Sequence, residues 1–143
     1  MAVDPQFSSN QYVYIFYTKK VGATCDGSRD DVNRVSRFTM SGDTAAASSE
    51  KVLIDNMPSP AGNHNGGDIH FGKDGFLYAS VGDGGCHYAD ASKCQNNNDA
   101  SRSTHVLVGK ILRVTRDGGI PIDQPLLGGQ QRSLQRRRTH FRG

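Results

Sequence analysis

No stretch of the 143-residue chain approaches the ~18 consecutive apolar residues of a membrane-spanning helix. The opening MAVDPQFSSN has neither the basic start nor the apolar centre of a secretory signal peptide. No segment of ten or more residues carries apolar side chains at helical spacing, which excludes a helix bundle. The three cysteines, Cys25, Cys86 and Cys94, lack the paired spacing of a zinc site. A basic body is missing too, despite a net charge of +3. Five arginines (Arg132, Arg136, Arg137, Arg138 and Arg142) stand within residues 129–143 without a single acid among them. The rest of the chain holds 12 basic and 14 acidic residues. Such a body offers a phosphate backbone no footing, and nucleic acid is not expected as a partner.

What the chain has in excess is glycine, 17 of 143 residues, where ~7% is usual. With five prolines and many Asn, Asp and Ser, this composition describes short strands joined by tight turns. The first strand is expected over Gln11 to Thr18, QYVYIFYT, whose aromatic and β-branched side chains suit a pleated surface. Two more are expected over Asn33 to Met40 and Glu50 to Asp55, separated by a turn at Ser41-Gly42-Asp43, to make a three-stranded meander. The preceding AVDPQF reads as a strand-to-turn passage with no earlier element to pair with. A breaker-rich linker, NMPSPAGNHNGG, leads to a hairpin of Asp68 to Phe71 and Phe76 to Val81 around Lys73-Asp74-Gly75. Ile69, Phe71, Leu77, Ala79 and Val81 form its inward face. A last strand is centred on KILRV within Val106 to Thr115; Asp117-Gly118-Gly119 turns, and IPIDQP is expected to be extended. The fold class is all-β, antiparallel, with long loops.

His64 is the most suggestive candidate for chemistry. It stands among glycines and asparagines in GNHNGG, with no bulky neighbour to cover it, and its ordinary pKa is the nearest to neutrality that a general base can have. Asp83, in VGDGG, leaves the second strand of the hairpin. The two free ends of a short hairpin emerge on one edge, so Asp83 is expected beside His64, able to orient it. On composition alone, a loop histidine satisfied by backbone competes with this reading. Cys86 and Cys94 bracket a polar loop, which fits either a small disulfide in an exported protein or free thiols in a reducing compartment; Cys25 is left over in both cases.

Other candidates are weaker. Asp26, Ser28 and Asp30 imitate the start of a calcium loop, but Asp31 stands where glycine is required and no glutamate occupies position twelve. Tyr12, Tyr14, Phe16 and Tyr17 read as sheet packing rather than a sugar-stacking platform. Arg113 and Arg116 are expected to face solvent or pair with neighbouring sheets rather than hold a ligand, and His70 to occupy a sheet face. His87 and His105 lie in a long loop and take no role.

The segments NHNGGDIHFGKDGFLYASVGDGG and VGKILRVTRDGGIPIDQP resemble the pyrroloquinoline quinone (PQQ)-dependent glucose/sorbosone dehydrogenase family, as do AVDPQFSSNQYVYIFYT and NRVSRFTMSGD. The resemblance spans about residues 1–128. It implies a six-bladed β-propeller of antiparallel four-stranded blades, holding PQQ and calcium at the centre of one face. A blade takes roughly 40–50 residues, so this chain would supply two to three of the six.

The resemblance further implies a role for each matching residue. His64 falls on the family's general base, which takes a sugar hydroxyl proton as hydride passes to PQQ, and therefore borders cofactor as well as substrate. Asp83 falls on the aspartate that orients that base. Asn63, on the substrate side, replaces an aspartate carried by some members, which puts the sugar preference in question. The loop carrying Cys86 and Cys94 is similar to an insertion in exported members, favouring a Cys86–Cys94 bridge and an extracellular or periplasmic location. The family's calcium ligands and the basic groups that neutralise the quinone lie in later blades. The chain is therefore expected to be a fragment, inactive alone, of an enzyme that meets a sugar and an electron acceptor. The alternative is a non-catalytic propeller that binds other proteins. Residues 129–143 stay open between a basic targeting tail, a solvated end and a lost reading frame, the last being favoured.

Overall fold

The computed structural model describes residues 1–20, 31–59, 62–84, 101 and 103–123. Among the described residues, eight strands fall into two antiparallel sheets. The first sheet is built on β2 (Tyr12–Lys19), β3 (Val32–Ser41) and β5 (Lys51–Pro58), with β3 in the middle. These are the three strands the sequence predicts, β2 shifted by one residue and β3 and β5 each two residues longer. A fourth, β1 (Ala2–Val3), pairs with β2 through Ala2–Tyr14 and Val3–Val13. AVDPQF is the strand-to-turn passage the sequence predicts, and it pairs with the strand that follows: the chain reverses through a single helical turn, α1 (Phe7–Asn10), which brings β2 back alongside β1. Asp4 fixes the reversal, accepting the Gln6 N–H at 2.8 Å while its own N–H goes to the Tyr12 carbonyl. A short β4 (Thr44–Ala45) folds back on the end of β3 around Gly42.

The second sheet runs β6 (Gly66–Phe71), β7 (Leu77–Val81), β8 (Lys110–Val114). Its hairpin turns where Asp-Gly predicts: Gly75 adopts φ +78°, and the Gly72 N–H is donated to the Phe76 carbonyl. The turn after β8 closes on Thr115 and Gly119, also as expected. IPIDQP is not extended throughout: Ile122 and Asp123 lie in a turn, and Asp123 pairs with Arg113 at 3.0 Å.

One core joins the sheets. Tyr14, Val35 and Met57 from the first meet Ile69, Leu77 and Ala79 from the second, all at or near zero exposure. Strict alternation puts Ile69, Leu77, Ala79 and Val81 on the buried face, as their spacing predicts. Tyr14 meets Phe71 edge to face at 5.0 Å between ring centres. The Tyr14 hydroxyl donates to the buried Asp4 carboxylate at 2.8 Å. Burial and that bond both push the hydroxyl's pKa upward, so it stays a donor. Tyr12 and Phe16 flank this core, whereas Tyr17 lies on the opposite face and donates to Glu50. Outside the core, Asp117 ties the second sheet to the first by accepting from Arg37 and Lys51, each at 2.8 Å. Among the described residues no helix is long and apolar enough to cross a membrane.

Candidate active site

Residues 62–67 bring the chain from the first sheet into β6, and their backbone is unusual. Gly62, His64, Gly66 and Gly67 all have positive φ, His64 at +52°. For a residue with a Cβ this left-handed conformation costs about 1–2 kcal/mol, so the surroundings must impose it. They do so through the backbone leaving β7. The Gly82 N–H is donated to the Asn65 carbonyl at 3.1 Å, and the Gly84 N–H to the His64 carbonyl at 3.3 Å. The two segments lie so close that a Cβ at position 82 would sit 1.8 Å from the His64 carbonyl oxygen. Glycine in the Gly82-Asp83 pair is thus a steric requirement of the neighbouring histidine.

This approach sets Asp83 beside the imidazole. His64 Nδ1 stands 3.0 Å from Asp83 Oδ1, with the two side chains 49% and 33% exposed. A carboxylate can only accept, so Nδ1 is the donor. In the neutral ring Nε2 is then left with the lone pair. The pair expected from the hairpin's two free ends is therefore brought together, and its ring is open to solvent. Asn63 is exposed next to it.

Below the loop lies a set of polar side chains that sequence reasoning did not single out. Thr18 Oγ1 donates to Asn33 Oδ1 at 2.8 Å. Asn33 Nδ2 donates to Asn65 Oδ1 at 2.9 Å, and Ser59 Oγ donates to the same oxygen at 2.6 Å. Asn33 and Ser59 are fully buried. Asn33 sits in an apolar-alternating strand and Ser59 in a breaker-rich linker, so neither carries a local signal; Asn65, directly after the histidine in NHNGG, does.

The remaining predicted site residues are dispersed. Cys25, Cys86, Cys94, Asp26, Ser28, Asp30 and His87 lie outside the described residues, as do 129–143. Asp31 is buried and gives its carbonyl to the Ser59 N–H. His70 is on the exposed face of β6, 2.9 Å from Asp68. Arg113 is not solvent-facing: it stacks on Phe76 at 4.0 Å and pairs with Asp74 and Asp123 within its own sheet. Arg116 reaches back to Gln6 and Asp4.

The described residues do not fit the holding of a quinone or of calcium. No three His, Cys, Asp or Glu side chains converge among them. The basic groups near the sheets are committed elsewhere: Arg34 to Asp55, Arg37 and Lys51 to Asp117, and Lys110 to the carbonyls of Ser101 and Val108. What the site offers is an oriented proton acceptor.

Comparison with known proteins agrees with this architecture. The Acinetobacter calcoaceticus quinoprotein glucose dehydrogenase B is 28% identical over 137 residues, which cover 90% of this chain and 28% of that protein. Among solved structures, an oxidoreductase (glucose dehydrogenase) from Thermus thermophilus superposes with a TM-score of 0.69 at 30% identity, over 90% of this chain and 33% of its own. The soluble aldose sugar dehydrogenase of Escherichia coli superposes at 0.66 with 25% identity, over 89% and 32%. The chain thus spans about a third or less of the length of these relatives, and its two sheets, of five and three strands among the described residues, are part of a β-propeller. The model of the glucose/sorbosone dehydrogenase family matches residues 1–135, and the chain belongs to that family.

Proposed function

We propose that this chain carries the proton-accepting corner of a quinoprotein-type sugar dehydrogenase, with His64 as general base and Asp83 as the group that orients it. The observation that supports this most is the 3.0 Å contact of His64 Nδ1 with Asp83 beside a half-exposed ring. Asp83 holds the Nδ1–H, which leaves Nε2 to receive a proton. A sugar hydroxyl placed there gives up its O–H proton to Nε2. Oxidation of the same carbon to a carbonyl would further require a hydride acceptor, which the described residues do not supply. Asp83 stabilises the imidazolium that results. PQQ, if bound by residues of the whole enzyme outside those described, would supply the two-electron oxidant, and this chain's own residues would handle only the proton. Asn63 borders the sugar, where a neutral carboxamide can hydrogen-bond a hydroxyl but cannot add charge. In this reading the rest of the cofactor site belongs to other parts of the whole enzyme, and the chain alone is inactive. An exported location, extracellular or periplasmic, with a Cys86–Cys94 bridge, completes the reading.

The test grafts residues 1–123 into the E. coli soluble aldose sugar dehydrogenase in place of its aligned third, reconstitutes with PQQ and calcium, and follows dye reduction by aldoses. His64→Ala is expected to lower kcat by about 10²–10⁴-fold. A His64→Ala graft that oxidises sugar as fast as the unsubstituted graft overturns the assignment.

A further inference from the structure

We infer that Asn65 is a positioning residue for His64, and that its side-chain oxygen is the anchor that holds the imidazole on Asp83. This rests on reading His64 as the base. The argument starts from the backbone of His64, whose left-handed φ of +52° is costly and has to be imposed. The two backbone bonds from Gly82 and Gly84 fix one side of the loop. On the other side, Asn65 supplies the side-chain anchor nearest to His64, beside the Gly62 N–H donated to the Ser59 carbonyl. Its Oδ1 accepts from Asn33 Nδ2 and from Ser59 Oγ, at 2.9 and 2.6 Å. Both donors belong to the first sheet and its exit, and both are fully buried. Asn33 is in turn held by Thr18 across the β2–β3 ladder.

One residue thus joins a rigid sheet to the loop: its side chain is held by the first blade and its backbone carbonyl by the second. An oxygen that accepts two bonds from buried donors also has an all-or-none character. Removing it leaves the Asn33 amide and the Ser59 hydroxyl unsatisfied, so the surroundings gain by rearranging. The residue immediately before the anchor is His64. A shift of the anchor is passed directly to the ring, whose bond to Asp83 has little length to spare.

The experiment uses the chain of 143 residues labelled with 15N, and long-range proton–nitrogen spectra of the His64 ring at a pH where imidazoles are neutral. The unsubstituted chain is expected to carry the proton on Nδ1. Asn65→Ala is expected to lose most of that Nδ1–H population, with the ring nitrogens moving to the averaged pattern of a free imidazole. Asn65→Asp, whose carboxylate oxygen accepts the same two bonds, is expected to keep it. The methyl signals of Ile69 and Leu77 report whether the core is intact. If Asn65→Ala disrupts them, Ser59→Ala, which removes one of the two bonds, decides by a partial loss of the Nδ1–H form with the core unchanged. An Nδ1–H population unaltered in a folded Asn65→Ala chain, or unaltered in Ser59→Ala where that variant decides, overturns the inference. If the unsubstituted chain itself lacks the Nδ1–H form, the reading of His64 and Asp83 as an oriented base is what fails.

Discussion

Gly82→Ala tests the close approach on which the site is built. An added Cβ would lie 1.8 Å from the His64 carbonyl oxygen and 2.6 Å from its carbon, both backbone atoms that no rotamer change can move. Contacts below 3.0 Å are essentially never seen for Cβ, so the two segments must separate by at least about 1 Å. The bonds from Gly82 to Asn65 and from Gly84 to His64, already 3.1 and 3.3 Å long, cannot survive that movement. Two lost backbone hydrogen bonds at about 0.5–1.5 kcal/mol each, with about 1–3 kcal/mol for forced overpacking, give about 2–6 kcal/mol. Denaturant unfolding of the chain measures this. The grafted enzyme reports the functional side, where a 1 Å misplacement of the base costs on the order of 100-fold in kcat. Gly75→Ala is the control, because a Cβ there meets nothing within 4 Å. It should cost only its left-handed backbone, about 1–2 kcal/mol. If Gly82→Ala is no more damaging than Gly75→Ala, the packing of the loop against β7 is wrong and the case for His64 falls with it.

Other substitutions probe the frame. Leu77 is completely buried between the sheets, and Leu77→Ala should cost about 2–5 kcal/mol in thermal or denaturant unfolding. Tyr14→Phe leaves the buried Asp4 carboxylate without one of its donors and should cost about 1–3 kcal/mol, whereas Tyr17→Phe, half-buried on the sheet's other face and donating to a Glu50 carboxylate that Ser36 also serves, should cost less. Acid should unfold the chain through its carboxylates. Hydrogen bonds from Ser36 and Tyr17 hold Glu50 below its ordinary 4.5, and bonds from Arg34 and Lys51 hold Asp55 and Asp117 below 3.8. These groups bind protons more readily unfolded than folded. Their stabilisation is therefore complete above those ordinary values and is lost as pH falls below about 4.5 toward the folded pKa values. Melting temperature followed from pH 7 to pH 3 should fall in that window, and Asp55→Asn should flatten the fall; a flat profile in the unsubstituted chain would refute the assignment of these pairs.

The strands were legible wherever period two and turn chemistry agreed. In the β6–β7 hairpin, Ile69, Leu77, Ala79 and Val81 alternate inward and Asp74-Gly75 marks the reversal. Topology then placed Asp83 next to His64, because the ends of a two-stranded hairpin are neighbours by construction. The pairing of β1 with β2 was not legible. Two residues pair there, and what holds them is the capping of the reversal by Asp4 and the burial of Tyr14, neither of which leaves a mark on two residues of sequence. IPIDQP reads as extended from its prolines and isoleucines, yet Asp123 turns back to reach Arg113, a contact ten residues away along the chain. Asn33 and Ser59 were invisible for a related reason: a buried polar residue in a strand pattern looks like a defect until its partner is known, and its partner is Asn65 on another segment.

Those partners set what the site demands of the whole. His64 does not belong to either sheet. The Asn33–Asn65 bond ties its loop to the first, and the Gly82 and Gly84 amides tie it to the second. The same two sheets are held together by the Tyr14–Phe71 ring contact and by Asp117, which bridges Arg37 and Lys51 from the far end of the second. Any shear between the sheets therefore changes the distance between the two sides of the loop, and with it the hold of Asp83 on Nδ1. It follows that Asp117→Asn, far along the chain from His64, should reduce the Nδ1–H population of His64 without touching the site. The pair is exposed on the carboxylate side, so the loss of stability itself should stay within about 1 kcal/mol. A variant that loosens the sheets measurably while leaving the His64 tautomer untouched would show that the loop is rigid in itself and that the sheets serve only to carry it.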